Sequence, residues 1–464
     1  FTEKGLEEAW ATVLRLEDSG ANCIVPLGAV ALSLLTGDSR ISKWRGSILT
    51  ANSPSIQGTS LIGRKLVPTY HPAFIIRGQY LATYSIIHDL KRAKEESVSP
   101  SIYLPQRDLI IDPSFPEVLA FQRDMMRKKR LAHDIEVLNS QISCFCYAPE
   151  PNISMCIPIL DHSGRTNRWT EEQETEIWLN HAKIMKNPRI QKVNHNILFD
   201  TSFEFERNHI FSSLETCDDS MIAWRVVNTD FPKGLDFVCS MLTREPYYKD
   251  DGKLWSKPWA DIERFWRYNA LDGAVSLECW DEMQEELEDP DWRHTYNMHK
   301  SLFPVLTYMM AHGMKVNRAK LDKVREDVSG KIATHQAELD SLVGHHLNVS
   351  SPKQMTNFFY VEKGIKAYVS RKTGRPTCDD KALAAIFKRY RFPEAKLSQE
   401  IRTHRTLLQN FLEIQFDPDD MLRCSIDATG ARTGRLSTSE TVRGTGHNMQ
   451  NIPPSFRGFL EAEQ

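Results

Sequence analysis

The chain has 464 residues, 41% of them hydrophobic, and a formal net charge of −3. That length predicts roughly three domains of about 100–200 residues each, and the near-neutral balance excludes a bulk polycation, so any basic surface for nucleic acid must be local. There is no apolar run of about eighteen residues and no signal-peptide pattern, so no membrane partner is expected; nine scattered cysteines without a C-x-x-C pair fit a reducing, cytoplasmic setting. From the amino terminus, Asn22–Leu27 reads as a short apolar strand, and Gly28 opens a helix over AVALSLLTG. A second strand, Lys65–Pro68, leads into Thr69-Tyr70-His71-Pro72-Ala73. Strand, helix, loop and strand in that order predict an α/β fold. Taken alone, His71-Pro72 is a turn with a satisfied histidine.

Leu27-Gly28 before a helix, Lys43-Trp44-Arg45-Gly46 in a loop, and T-Y-H-P-A together resemble the carboxy-terminal half of the uracil-DNA glycosylase superfamily, nearest its four-cysteine branch. The resemblance implies that His71 would stabilise a leaving uracil anion after the base is flipped out of the stack. The superfamily's water-activating motifs would precede Phe1. Ala9 and Trp10, on the helix Gly5–Leu16, stand where that branch has a cluster cysteine, so no iron–sulfur cluster is expected. A uracil-sensing module or a structural relic is the expectation for this part, not an active glycosylase. Lys91–Arg107 is charged and then Ser/Pro-rich, which reads as a linker. The expected segments are 1–98 glycosylase-like, 99–125 linker, 126–291 nuclease, 292–425 and 426–464.

Arg127-Lys128-Lys129-Arg130 reads as a solvated flank, or as a contact for single-strand phosphates. Leu131–Leu138 follows as a buried strand. Residues two apart on a strand share a face, so Asp134 and Glu136 can enter one pocket. Asn196-Ile197-Leu198-Phe199-Asp200 comes after the apolar start Ile190–Val193, and Tyr268-Asn269-Ala270-Leu271-Asp272 lies in a helical stretch from about Trp259 to Leu287. Residues four apart on a helix stand one above the other. Clustered carboxylates suit Mg²⁺ or Mn²⁺, and two such ions about 3.5–4 Å apart can serve an in-line displacement at phosphorus. One D-x-E or one Y-x-x-x-D means little alone. In this order the set resembles the DEDD 3′–5′ exonucleases, in the branch with a tyrosine in the third motif. Cys217-Asp218-Asp219-Ser220-Met221 and Gly234-Leu235-Asp236 look like further segments of that family. The resemblance implies an RNase H-like mixed sheet, two divalent ions held by Asp134, Glu136, Asp200 and Asp272, and a water positioned by Tyr268. Asn196 would support the site and the bound DNA.

Pro290 in LEDPDW marks the next boundary. Leu302, Val305, Leu306, Met309 and Met310 make a helical stripe ended by His312-Gly313, with Gly313 suited to the position after a helix. Ser350–Phe359 begins with Ser and Pro, as helices do. Lys363, Lys366, Arg371, Lys372 and Arg375 surround Thr373-Gly374, by composition a solvated loop. Thr433-Gly434-Arg435-Leu436-Ser437 followed by Asn448-Met449-Gln450-Asn451-Ile452-Pro453 resembles the family A DNA polymerases. Ser351-Pro352-Lys353-Gln354, Lys372-Thr373-Gly374 and Gly313-Met314-Lys315-Val316 add to the likeness, which runs over about Ser301–Phe459.

The polymerase resemblance implies a mainly helical thumb and the start of a palm. Arg435, Gln450 and Asn451 would contact DNA, and Lys372 and Arg375 would make salt-sensitive phosphate contacts. In that family the palm carboxylates lie downstream of Q-N-I-P, and Arg457 and Phe459 look like the R-x-F just before the first. Both chain ends read as cut, so the parent is expected to be longer and this chain alone is not expected to polymerise DNA. The combined expectation is the amino-terminal part of a phage-type replicative polymerase in a bacterial host cytoplasm. It would act on primer–template and single-stranded 3′ ends, with replication accessory proteins as further partners. Two other classes remain open: an RNase D-like nuclease, and a DNA-binding or uracil-sensing module without catalysis.

Overall fold

The computed structural model describes residues 3–254, 261–371 and 373–461. The expected helix start at Trp259 and the expected phosphate contact Lys372 therefore lie outside the described residues. The chain divides into two compact units: residues 1–308 with 427–436, and residues 309–426 with 437–464.

After a helix at Glu3–Asp18, the first unit has three short strands, β1 (Cys23–Ile24), β2 (Leu49–Thr50) and β3 (Lys65–Leu66), in the order β1-β3-β2. Helix α1 (Gly28–Thr36) follows β1, and α2 (Ala82–Glu96) closes this region. The stretch expected as a linker from Lys91 is helical as far as Glu96. Its inner face explains why: Glu96 pairs with the buried Lys65 at 2.7 Å. Arg92 donates to the carbonyls of Gly46 at 2.7 Å, Ser240 at 3.1 Å and Thr243 at 2.8 Å.

Much of 99–125 is also built into the fold. Strand β4 (Asp108–Ile110) pairs with the large mixed sheet, and α3 (Phe115–Met125) buries Val118 and Met125 against it. Arg107, nearly buried, pairs with Glu245 at 2.9 Å and with Glu278. Ser114 and Glu117 form a capping box that starts α3.

The sheet continues with β5 (Arg130–Leu138), β6 (Gln141–Glu150), β7 (Ile153–Pro158), β8 (Gln191–Asn194) and β9 (Cys217–Asp219), in the order β4-β7-β6-β5-β8-β9. It is mixed: β5 runs antiparallel to β6 and parallel to β8, and β9 is parallel to β8. Strand alternation sorts its two faces. Ile135, Phe145, Tyr147, Met155 and Ile157 share a core with Ile177 and Ile184 of α4 (Glu171–Lys186). On the other face Cys144 and Cys156 pack with Phe265, Trp266 and Ala270. Asp134 and Glu136 stand on this second face, beside Cys146 and Cys144 of β6. Further helices of this unit are α5 (Ile197–Asn208), α6 (Ser220–Val227), α7 (Leu235–Leu242), α8 (Ile262–Glu282) and α9 (Pro290–Lys300).

Helix α8 lies close on the sheet because its contact face is small. A Cβ built on Gly273 would come within 2.5 Å of the Cys146 sulfur. The boundary expected near residue 292 is not where the units part. The hydroxyl of Tyr296 on α9 donates to Asp218 at 2.8 Å and accepts from the Asp219 N–H at 2.9 Å, which ties α9 to the sheet.

The second unit holds a three-stranded antiparallel sheet, with β10 (Met314–Val316) between β11 (Met421–Leu422) and β12 (Leu460–Glu461). Gly313 precedes β10 with φ +75° and accepts no Cβ, since one would meet the Leu422 carbonyl at 2.9 Å. Helix α10 (Arg318–Val343) runs for 26 residues between an Asn317 cap and Gly344 at φ +83°. It packs beside α12 (Pro393–Leu407), with α11 (Asp380–Tyr390) against α12. Pro352–Thr356 forms a short helix capped by the Ser351 hydroxyl, as the S-P-K-Q sequence leads one to expect. Among the described residues no helix is long and apolar enough to cross a membrane.

Candidate active site

Three elements of the first unit meet at one place. The ligand oxygens of Asp134, Glu136 and Asp272 lie within 4.8 Å of one another. Strand β5 supplies the first two, and its ladder with β6 slips between Glu136 and Val137. Helix α8 supplies Asp272, brought down by the Gly273 contact one residue later. Asp200, on the first turn of α5, is buried, accepts from the Asn194 amide at 2.9 Å, and faces the Ile135 N–H at 3.4 Å.

Crowding leaves a clear electrostatic signature. Burial, then the charge of Asp272, pushes Asp134 up to about 7. Burial, then Asp134, raises Glu136 well above the usual carboxylate range. Asp200 is raised by the same two causes. Like charges held this close resist ionising together. Asp272 Oδ1 is buried without a hydrogen-bond partner. Three carboxylates with oxygens within 4.8 Å of one another, one of them short of a partner, fit a hard divalent cation, and Asp200 stands outside that close group.

Tyr268 stands one turn before Asp272, its ring packed where a Cβ on Gly252 would sit 2.6 Å away. Burial and then Asp272 raise its phenol far above the ordinary value, so it stays protonated and works as a hydrogen-bonding group. Asn196 does not stack above Asp200 as the four-residue spacing suggests. It precedes the first helical residue in the left-handed conformation, φ +79°, and its N–H donates to Asp219 at 3.2 Å. Asp219 explains that geometry. Its carboxylate also accepts from Ile197, Met221 and Ile222, and so caps α5 and α6 together.

Sequence reasoning passed over several residues that hold this arrangement. Asn269 donates to Asp134 Oδ2 at 2.9 Å. Lys249 bonds Asp272 and donates to the Tyr268 hydroxyl at 2.9 Å. Behind the site, on the opposite sheet face, Glu204 Oε1 accepts from His133 at 2.7 Å and His181 at 2.8 Å, all three fully buried. His133 neighbours Asp134, and Glu204 is one turn beyond Asp200, so this network fixes α5 against β5. The signal available was the alternation that sends His133 into the core. His71 is not gathered here. It lies on an exposed turn whose Ala73 N–H donates to its Nδ1 at 3.1 Å.

The family model for DNA polymerase family A matches residues 318–462. That stretch is a family A DNA polymerase region. A DNA polymerase I of Caldicellulosiruptor bescii is 23% identical over 307 residues, 65% of this chain and 34% of that protein. A DNA polymerase I of Rhizobium leguminosarum is 26% identical over 197 residues, 42% of this chain and 19% of that protein. The chain thus spans about a third or less of the length of these curated relatives. Among solved structures, the POL domain of Pol1 from M. smegmatis, in complex with DNA primer-template and dNTP, shares the fold. Its TM-score is 0.56 at 19% identity, covering 77% of this chain and 59% of that one.

Within and beside the polymerase region, the residues expected to meet DNA are exposed. Arg375 lies in a short hairpin closed by Ser370 N–H to the Arg375 carbonyl at 2.9 Å. Arg435 is presented by a turn in which Gly434, at φ +73°, donates to the Ala431 carbonyl at 3.1 Å. Gln450 and Asn451 stand on a helical turn capped by Asn448, whose Oδ1 accepts from Gln450 N–H at 3.1 Å and the Thr438 hydroxyl at 2.8 Å.

Proposed function

We propose that this chain carries a 3′–5′ exonuclease joined to a family A polymerase region, and that it removes 3′ nucleotides from DNA as a proofreading activity. The gathering of Asp134, Glu136 and Asp272 within 4.8 Å, with Asp200 and Tyr268 against them, carries the reading. Strand order 3-2-1-4-5 through β7-β6-β5-β8-β9, mixed in direction, supports an RNase H-like nuclease sheet.

Asp134, Glu136, Asp200 and Asp272 would hold divalent ions, Mg²⁺ or Mn²⁺. When bound, such ions lower the pKa of water and neutralise charge developing on a phosphodiester. The protein's own part is positioning. Asn269 holds one carboxylate oxygen of Asp134, while Asn194 and the Ile135 N–H hold the two oxygens of Asp200. The protonated Tyr268 hydroxyl orients the attacking water by hydrogen bonding and removes no proton.

Arg375, Arg435, Gln450 and Asn451 are proposed as the DNA contacts of the polymerase region, by phosphate and minor-groove chemistry. The same reading makes residues 1–98 a partial uracil-DNA-glycosylase-like region in a phage-type polymerase, and primer–template DNA the partner.

The test is degradation of 3′-labelled single-stranded DNA in Mg²⁺ or Mn²⁺. Stepwise 3′ shortening by the wild type, lost in Asp134→Ala/Glu136→Ala, is the expected result. A folded wild type that cuts nothing would overturn the reading. RNA cut in preference to DNA would move the assignment to an RNase D-like nuclease.

A further inference from the structure

Lys249 belongs to none of the three acidic motifs, yet its side chain ends in the carboxylate cluster. The ammonium bonds Asp272 and donates to the Tyr268 hydroxyl at 2.9 Å. It sits 4.7 Å from the Tyr268 ring centroid and 5.5 Å from that of Tyr248. The Asp272 carboxylate it holds is one the nuclease reading assigns to a metal ion.

The segment that delivers Lys249 has no helix or strand of its own from Thr243 to Asp250. A stretch without a hydrogen-bonded ladder needs outside support to keep one position. That support comes from one segment of the N-terminal region, Arg40 to Ser47, which includes a one-turn helix, Ile41–Trp44, where a loop was expected. Arg40 and Lys43 each reach Asp250 at 2.6 Å. The Trp44 ring meets Tyr247 edge-on at 5.6 Å, and Ser47 Oγ faces the Tyr247 N–H at 3.4 Å. Tyr247 in turn donates to Asp250 at 3.1 Å.

We infer that Lys249 is a tethered counter-ion of the carboxylate cluster, and that the N-terminal region holds it there through Tyr247 and Asp250. The inference rests on the metal-dependent nuclease reading. Positive charge offsets the mutual repulsion of carboxylates this crowded. Lys249 supplies it when no divalent ion is bound, and competes with that ion for Asp272. Cation binding then moves the ammonium off Asp272. The N-terminal region, whatever its ancestry, sets how readily Lys249 leaves.

Mn²⁺ binding without DNA tests this, read by electron paramagnetic resonance and by melting temperature, with Asp134→Ala/Glu136→Ala as the blank. Lys249→Met should bind Mn²⁺ roughly tenfold or more tightly, the scale of removing one charge at about 4 Å in a partly wet site. Its metal-free melting temperature should fall, and Mn²⁺ should restore it. Arg40→Ala/Lys43→Ala changes half-exposed side chains far from the ligands, and stays informative if Lys249→Met fails to fold. It should tighten Mn²⁺ binding by a smaller factor, and that gain should vanish when Lys249→Met is added. Equal Mn²⁺ affinity in wild type and Lys249→Met overturns the inference alone. A gain from Arg40→Ala/Lys43→Ala that persists in the Lys249→Met chain overturns the role of the N-terminal region. No Mn²⁺ bound by wild type or Lys249→Met overturns the nuclease reading, and this inference with it.

Discussion

The carboxylate cluster of the first unit and the polymerase region carry their candidate residues in opposite ways. Around Asp134 the groups come from a strand, two helices and an irregular segment, they are crowded, and other side chains hold each one in place. Arg375, Arg435, Gln450 and Asn451 come from short continuous motifs and stand exposed on turns. A crowded constellation ties chemistry to folding, because the same charges that bind an ion burden the protein without it. An exposed motif leaves stability almost untouched and acts on a long polyanion by local charge.

Substitutions separate the two arrangements. The largest effect is expected from Asp272→Asn. On the proposed nuclease reading Asp272 is a metal ligand; loss of even an outer partner of such a ligand typically costs about 10–100-fold, so its own loss should remove more than about 100-fold of the single-turnover cleavage rate. Glu204→Gln comes next. Breaking a buried ion pair from one side costs about 3–5 kcal/mol, and a large drop in melting temperature should accompany it.

The same residue has a pH signature. Burial pushes the Glu204 carboxyl up, but His133 and His181 overcome this and hold it at about 2. Its stabilisation is therefore complete above its ordinary value of 4.5 and fades as pH falls toward about 2. Melting temperature against pH should lose that acid limb in Glu204→Gln.

Gly273→Ala is expected to cost about 1–3 kcal/mol by overpacking, because its Cβ would meet Cys146, and to slow cleavage by lifting Asp272 away from Asp134. Chemical denaturation and cleavage assays on one preparation read both effects. The smallest effect falls in the polymerase region. Arg435→Ala should leave stability within about 0.5 kcal/mol, weaken DNA binding, and lower the salt slope by about 1. A destabilised Arg435→Ala, or an Asp272→Asn that keeps full activity, would erase the contrast between the two regions.

How much could be read from residues alone follows the same divide. The alternation in Leu131–Leu138 and the four-residue step from Tyr268 to Asp272 are local periodicities, and they named the strand face and the helix face that meet. Lys249 was not legible, because it arrives from a segment with no period and only its position in space relates it to the motifs. Asn196 was misjudged in detail, since a repeat of spacing cannot tell a helical residue from the one before the helix. The reading of 91–107 as a linker failed for a physical reason: Arg92, Glu96 and Arg107 look like solvated charges, yet each has fixed partners far away in the chain. The short T-G-R and Q-N-I-P motifs, by contrast, lie within the stretch the family comparison matches, apart from nothing but their own neighbours in sequence.

Arg92 has a consequence for how the two parts of the first unit can change over time. Helix α7 ends at Leu242, and the carbonyls of Ser240 and Thr243 lie where a helix runs out of its own donors. Arg92 brings those donors from α2, so one part of the chain supplies the terminal cap of a helix in another. Exchange of either part by recombination would leave an open helix end or an orphaned guanidinium.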